Sequence, residues 1–190
     1  MIIKSAQFLQ GIVPTSSPLE PTIPQVVLYG RSNAGKSSTV NCLTGNKKLA
    51  RASDTPGRTK EANVFTINKS WYLIDMPGYG YAAASKNDRE SIHGLITWFI
   101  RETETEQRKS VLIIDSKIGL TDSDREILTM LIEQGESITI LMNKIDRLTQ
   151  AKVSATTKKV RAEIPADITI IPFSAKTGKG IPALLDLIGN

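Results

Sequence analysis

The octet Gly30-Arg31-Ser32-Asn33-Ala34-Gly35-Lys36-Ser37 follows the apolar run Val26, Val27, Leu28, Tyr29 without a break. Its G-x-x-x-x-G-K-[ST] pattern works only where a buried strand opens into a helix. The constraint is geometric. Glycines at both ends let the backbone turn tightly, so that successive amide N–H groups face one anion, and the helix that follows adds the positive end of its dipole. Lys36 then reaches the outer phosphates as a mobile charge, while the Ser37 hydroxyl can ligate magnesium. A strand–loop–helix unit of this kind predicts an α/β fold. Apolar runs at 26–29, 71–74, 138–142 and 168–173 alternate with helical patterns, which gives a doubly wound, mostly parallel sheet with helices on both faces. Ligands of such sheets lie beyond the carboxyl ends of the strands, and the other motifs also follow strands.

A triphosphate cradle leaves the base open. Asn143-Lys144-Ile145-Asp146 follows the run at 138–142 and supplies a candidate. Guanine presents an O6 acceptor with N–H donors beside it, and the Asp146 carboxylate suits those donors. Adenine carries an amino group where guanine has O6 and cannot satisfy the same arrangement. A buried carboxylate left unpaired is costly, so the site is expected to reject the wrong base. Asn143 is expected to tie this loop to its neighbours, and the Lys144 stem to cover a base face. Ser174-Ala175-Lys176, after the run at 168–173, offers backbone N–H groups for O6.

Between these segments Asp75-Met76-Pro77-Gly78 follows the run at 71–74. Asp75 at a strand end can hold magnesium through a water, the Gly78 amide can approach a third phosphate, and Thr59 is the candidate to complete the metal shell. The order along the chain is phosphate loop, threonine loop, D-x-x-G, N-K-x-D, S-A-K.

In that order the sequence resembles the translation-factor-like class of P-loop GTPases, and within it the YihA/EngB family of bacterial ribosome-biogenesis GTP-binding proteins. The residues that carry the resemblance are the phosphate loop extended to Ser38, Thr55-Pro56-Gly57-Arg58-Thr59, and Asp75-Met76-Pro77-Gly78-Tyr79-Gly80-Tyr81-Ala82. It runs from about Ser5 to the C-terminus. The family commonly has Thr where this chain has Asn143, and 115–120 is less basic here than is usual there. The resemblance implies GTP and GDP as ligands with Mg2+ as cofactor. It places Gly30, Arg31, Ser32, Asn33, Ala34, Gly35, Lys36, Ser37 and Ser38 around the nucleotide. Gly57, Arg58, Thr59, Asp75, Met76, Pro77, Gly78, Asn143, Lys144, Asp146, Ser174, Ala175 and Lys176 complete that set. Ser37, Thr59 and Asp75 are the metal candidates; Lys36, Thr59 and Asn33 are the catalytic ones. Many GTPases orient the attacking water with a Gln directly after D-x-x-G. Tyr79 stands there and cannot do so in the same way, so slow intrinsic hydrolysis is expected. In related GTPases an Asn at the Asn33 place helps hold a potassium ion (K+) where an arginine finger would otherwise act. Here Asn33 either does so or only braces the loop. Arg31 and Arg58 are further cationic candidates.

The remainder of the chain bounds these readings. Its 190 residues suggest one G domain at 25–190, preceded by an extension and proline-rich connector at 1–24. Residues 5–12 read as either a strand or a helical turn, and 14–24 as an extended connector. Helical spacing appears at 88–104, 121–133, 150–163 and 181–188, with Thr121 or Asp122 as an N-cap. The polar stretch 46–60 suits a first switch and 78–87 a second. The single cysteine, Cys42, excludes an intramolecular disulfide, suits a reducing cytoplasm and is read as packing. His93, Trp71 and Trp98 are read as structural. Neither a secretion signal nor a membrane span is visible, so a cytoplasmic, monomeric protein is expected. A net charge of +5 favours an anionic partner such as RNA. Two function classes follow. One, implied by the resemblance, is a GTP-driven switch acting on a precursor of the large ribosomal subunit, in contact with rRNA and ribosomal proteins. The other is a nucleotide-gated adaptor, for example in cell division and septation. A kinase-type use of the loop would not need N-K-x-D.

Overall fold

The structure, a computed structural model, describes residues 2–16, 19–50, 61–81 and 83–189. Seven strands form one sheet in the order β1-β3-β4-β2-β5-β6-β7. The central strand is β2 (Gln25–Tyr29), flanked in parallel by β4 (Trp71–Asp75) and β5 (Arg108–Asp115). The parallel run continues through β6 (Ser137–Asn143) to β7 (Thr169–Pro172). On the other side β3 (Ala62–Ile67) pairs antiparallel with β4, and β1 (Ala6–Ile12) pairs antiparallel with β3 to form the edge. The expected α/β architecture is therefore present.

The apolar alternation within β2 divides the core. Val27 and Tyr29 face one side, where α2 (Lys86–Glu102) and α3 (Asp122–Glu133) lay down Ile92, Ile96, Phe99, Ile127 and Leu131, and α4 (Gln150–Ala162) adds Val160. Val26 and Leu28 face the other, against Val40 of α1 (Lys36–Thr44) and Leu184 of α5 (Ile181–Gly189). Period two in the strands and 3.6 in the helices thus point their apolar faces at the same two layers. Thr121 caps α3 through a reciprocal capping box with Asp124, and Ser85 caps α2. Helix α2 begins two residues earlier than its apolar spacing predicts, where Ser85 supplies the stop for its first free N–H groups, and ends two residues earlier at an extended Thr103.

Three features depart from the sequence reading or complete it. Residues 6–12 are a strand, with a bulge between Phe8 and Gln10, and the helical-turn alternative falls away. The stretch 14–24 is not extended throughout: turns occur at 14–15 and 21–22, and the Ser16 hydroxyl accepts the Val13 N–H. Strands β3 and β5 were not singled out by hydropathy. The first carries Asn63 and Thr66 within it, and the second opens with Arg108 and Lys109. Those two cations are paired at the lower rim of the sheet, Arg108 with Glu136 at 3.0 Å and Lys109 with the Leu187 carbonyl at 2.7 Å.

Candidate functional site

The carboxyl ends of β2, β4, β6 and β7 deliver the phosphate loop, Asp75, Asn143 and the Ser174 loop to one rim of the sheet. Asn33 (φ 65°) and Gly35 (φ 107°) turn the phosphate loop with left-handed backbone before α1 begins at Lys36. At Gly35 a β-carbon would run into the Asn143 amide nitrogen, so this glycine is required by a close approach as well as by its φ. Lys36 is only 8% exposed, and its ammonium donates to the carbonyls of Gly30 (2.8 Å) and Arg31 (3.2 Å). Burial lowers its pKa from the ordinary lysine value, and the Asp75 charge works against that. An anion at the loop would supply the missing counter-charge.

The Ser37 hydroxyl donates to Asp75 Oδ2 at 2.9 Å. Asp75 is buried, and burial raises its pKa while Lys36 and Ser37 oppose the shift. Its other oxygen, Oδ1, is buried without a hydrogen-bond partner among the described residues. A hydroxyl beside an orphaned carboxylate oxygen is an oxygen donor pair that suits Mg2+. Among the described residues no three His, Cys, Asp or Glu side chains gather into a metal cage. An ion here would need phosphate oxygens to fill its shell. Gly57, Arg58 and Thr59, with their neighbours 51–60, lie outside the described residues, as does Ala82. Of the stretch 46–60, expected to serve as a first switch, only 46–50 is described, held to α1 by Asn41, which bonds the Ala50 carbonyl and N–H, both at 2.8 Å.

The D-x-x-G segment is held from several directions. Met76 does not face the site: its side chain is in the core with α2 and α3, and its N–H donates to the Leu28 carbonyl. Pro77 is buried as well. Gly78 packs on the phosphate loop, and Tyr79 forms an isolated parallel bridge with Arg31, its carbonyl accepting the Ser32 N–H at 2.8 Å. The Tyr79 ring turns inward, 8% exposed, and its hydroxyl donates to Asp124 Oδ1 at 2.8 Å. Burial and the Asp124 charge push that phenol well above its ordinary pKa. Arg31 reaches back to the Gly80 carbonyl at 3.4 Å, and Ser38 is exposed on α1.

At the other end of the recess Asn143, 2% exposed, braces three segments. Its Nδ2 donates to the Ala34 carbonyl (2.9 Å), and its Oδ1 accepts the N–H groups of Lys144 (2.8 Å) and Ala175 (3.0 Å). Lys144, left-handed at φ 66°, extends across the phosphate loop to the Asn33 carbonyl (2.6 Å) and Asp115 Oδ2 (2.8 Å). One expectation needs correction. Asp146 is exposed rather than buried, its Oδ1 accepting from the Ser174 hydroxyl at 2.6 Å, a bond that lowers its pKa. A base would have to bury that carboxylate itself before mispairing became costly. The Ala175 N–H is already donated to Asn143, so a guanine oxygen would share that donor; Lys176 is exposed beside it.

Sequence reasoning missed Asp115, Asp124 and Asn41. The Thr121-x-x-Asp124 spacing announces a capping box, but nothing local announces a bond to a tyrosine 45 residues away. The structural readings of other residues agree with their surroundings. His93 is exposed with its Nε2 3.0 Å from Glu126, Trp71 is buried, and Cys42 packs half-buried against the α1-side core. No helix among the described residues is long and apolar enough to cross a membrane.

Comparison with known proteins gives a consistent answer. A family model described as 50S ribosome-binding GTPase matches residues 25–144. The probable GTP-binding protein EngB of Aquifex aeolicus is 36% identical, over 90% of this chain and 92% of its own length. Its counterpart from Roseobacter denitrificans is 38% identical over 96% and 86%. Among solved structures, a probable GTP-binding protein EngB superposes with a TM-score of 0.74 at 28% identity, covering 87% of this chain and 96% of that one. Aquifex aeolicus Era superposes at 0.66 with 24% identity over 88% and 56%, which speaks for the fold alone.

Proposed function

Because the chain belongs to the EngB family of GTP-binding proteins, a ribosome-binding GTPase family, we propose that it is a nucleotide-controlled switch in assembly of the large ribosomal subunit. In this reading GTP lies along the rim of the sheet, its phosphates over Gly30 to Ser38 and its base against Asp146, Lys144 and the Ser174-Ala175-Lys176 loop. Lys36 neutralises the outer phosphates. Ser37 and Asp75 Oδ1 hold Mg2+ together with the phosphate oxygens, and Thr59 is the candidate for the remaining place. Bound there, the ion offsets charge that develops on the phosphates during transfer to water. The observation that supports a nucleotide in this recess is the Asn143 brace: one buried amide joins the phosphate loop to the base loop, an arrangement suited to a ligand with both a phosphate tail and a ring.

Hydrolysis in this scheme is slow. Tyr79 occupies the place of a water-orienting Gln, and its hydroxyl is committed to Asp124, away from the phosphates. Asn33, exposed on the loop, is the residue for a potassium ion (K+) that would assist; an equal rate in potassium and sodium at matched ionic strength removes that role. The partner is an anionic particle, rRNA with its proteins, suited to a chain of charge +5.

Co-sedimentation with ribosomal particles tests the reading. Binding to large-subunit precursors is expected with a GTP analogue and Mg2+, weaker with GDP, and weaker again as salt rises. A useful switch needs the two nucleotide states to differ by several kcal/mol in affinity for the particle. Absence of particle binding in every nucleotide state abandons this proposal in favour of an adaptor that gates a protein partner.

A further inference from the structure

The positive charge of this chain is not spread evenly along it. Residues 144–162 hold six cations, Lys144, Arg147, Lys152, Lys158, Lys159 and Arg161, against one acid, Asp146. Taking these from the chain's 24 Lys and Arg and its 19 Asp and Glu leaves 18 of each, so this one stretch accounts for the whole net charge of +5. Two of the six are committed inside the fold: Lys144 pairs with Asp115, and Arg161 donates to the carbonyls of Pro165, Ala166 and Ile168. The other four are exposed, and among the described residues none lies within ion-pair distance of a carboxylate. On α2 and α3, by contrast, Lys86 meets Glu90, Arg101 meets Glu133 and Arg125 meets Asp122.

Helix α4 arranges three of these cations. Lys152 and Lys159 are seven residues apart, two turns along one stripe and about 10 Å along the axis, and Lys158 stands on the other flank of the same outward face. Between the flanks lie only Ala151, Ala155 and Ala162, all exposed, across the helix from the buried Val153 and Val160. The helix contains no acid. It therefore forgoes the i,i+4 ion pairs that would steady it, and Lys152 sits in the first turn, where the helix dipole favours an acid. An anion from outside the chain would offset both costs. Arg147 continues the set towards the nucleotide recess, near enough that its charge and that of Lys176 help to lower the Asp146 pKa.

We infer that the outer face of α4 is an RNA-docking surface, which grips the phosphate backbone through Lys152, Lys158, Lys159 and Arg147. Residues 144–162 contain no aromatic side chain that could stack on a base, and a lysine meets phosphate as a point charge, so the contact is independent of sequence. Helix α4 lies outside 46–60 and 78–87, the stretches expected to respond to a third phosphate. It contributes the same grip in either nucleotide state and acts as an anchor, while the nucleotide adjusts binding through other segments.

The inference rests on the reading of rRNA as the partner of a switch, and the experiment separates the two. Binding to large-subunit precursors and to a short RNA duplex is measured against salt for three proteins. These are the wild type, the triple variant Lys152→Gln/Lys158→Gln/Lys159→Gln, and Lys4→Gln/Lys69→Gln/Lys86→Gln, which removes equal charge from exposed positions elsewhere. Losing three phosphate contacts on α4 lowers the slope of log affinity against log salt by about 2–3 and weakens particle binding by more than about tenfold. The factor is the same with a GTP analogue and with GDP. The control variant loses no more than about threefold, because charges away from the contact are screened. Equal losses in the two variants, an unchanged salt slope in the α4 variant, or a loss confined to one nucleotide state overturns the anchor and leaves the switch standing. A wild-type chain that binds the duplex through α4 but no particle in any nucleotide state keeps the surface and sinks the switch. Binding to neither overturns both.

Discussion

Asn143→Ala offers the sharpest test of how the recess is built. The side chain is 2% exposed and makes three hydrogen bonds, to the Ala34 carbonyl and from the Lys144 and Ala175 N–H groups. Truncation leaves the Ala34 carbonyl without its donor in a buried setting, which costs about 1–3 kcal/mol. The two N–H groups are partly buried and recover some of their loss from water, so each costs about 0.5–1.5 kcal/mol. A destabilisation near 3 kcal/mol is the expected total, which in urea unfolding moves the midpoint down by about 1–2 M. Asn143→Asp should be no milder, since a carboxylate oxygen would then face the Ala34 carbonyl, acceptor against acceptor. A second measurement isolates the brace from the base. Magnesium pyrophosphate has no ring, yet its affinity should fall several-fold in Asn143→Ala and stay unchanged in Asp146→Ala, because only the first loosens the loop at Ala34. A loss of stability below about 0.5 kcal/mol, or an undiminished grip on pyrophosphate, refutes the cross-brace.

Three further outcomes follow from other contacts. Asp146→Asn should trade guanosine for xanthosine nucleotides in competition binding; unchanged selectivity would mean the base lies elsewhere. The Ser174 hydroxyl holds Asp146 below the usual carboxylate range, so the ionised form that pairs with guanine persists on acidification down to that lowered value. Guanine selectivity, present above it and lost as the pH falls through it, should disappear at a higher pH in Ser174→Ala, and coincident acid limbs would disprove the link. At the lower rim Arg108 and Glu136 form a buried pair, 5% and 9% exposed, with the Arg108 guanidinium over the Phe99 ring, 4.8 Å from its centroid. Arg108→Met strands the carboxylate and should cost about 3–5 kcal/mol in urea unfolding, with much of it restored in Arg108→Met/Glu136→Leu; a single variant as stable as the wild type would contradict this.

The two ends of the recess differed in how legible they were. The phosphate loop could be read because its demands are local: a glycine at 35 for backbone that must turn left-handed, a lysine and a serine at fixed steps after it, a strand before it. The base loop was readable in residue type but not in state, and the expectation of a buried Asp146 failed because burial is a property of what packs around a side chain. Strand β5 escaped hydropathy because Arg108 and Lys109 open it, and their charges make sense only once Glu136 and the end of α5 are brought beside them. Strand β1 was ambiguous since an edge strand with exposed Phe8 and Leu9 has neither a clean period of two nor one of 3.6.

Spacing along the chain was enough, alone, to dictate an α/β sheet, a phosphate-binding turn and the order of the motifs around it, since each depends on neighbours within a few residues. Which atoms close the recess was decided by contacts between residues 45 to 111 positions apart: Asn143 on Ala34, Lys144 on Asn33, Tyr79 on Asp124 and on Ser32. Hydrogen bonds of that kind are settled by distances of a few tenths of an ångström, and those exist only after the sheet has set the register that brings its strand ends together.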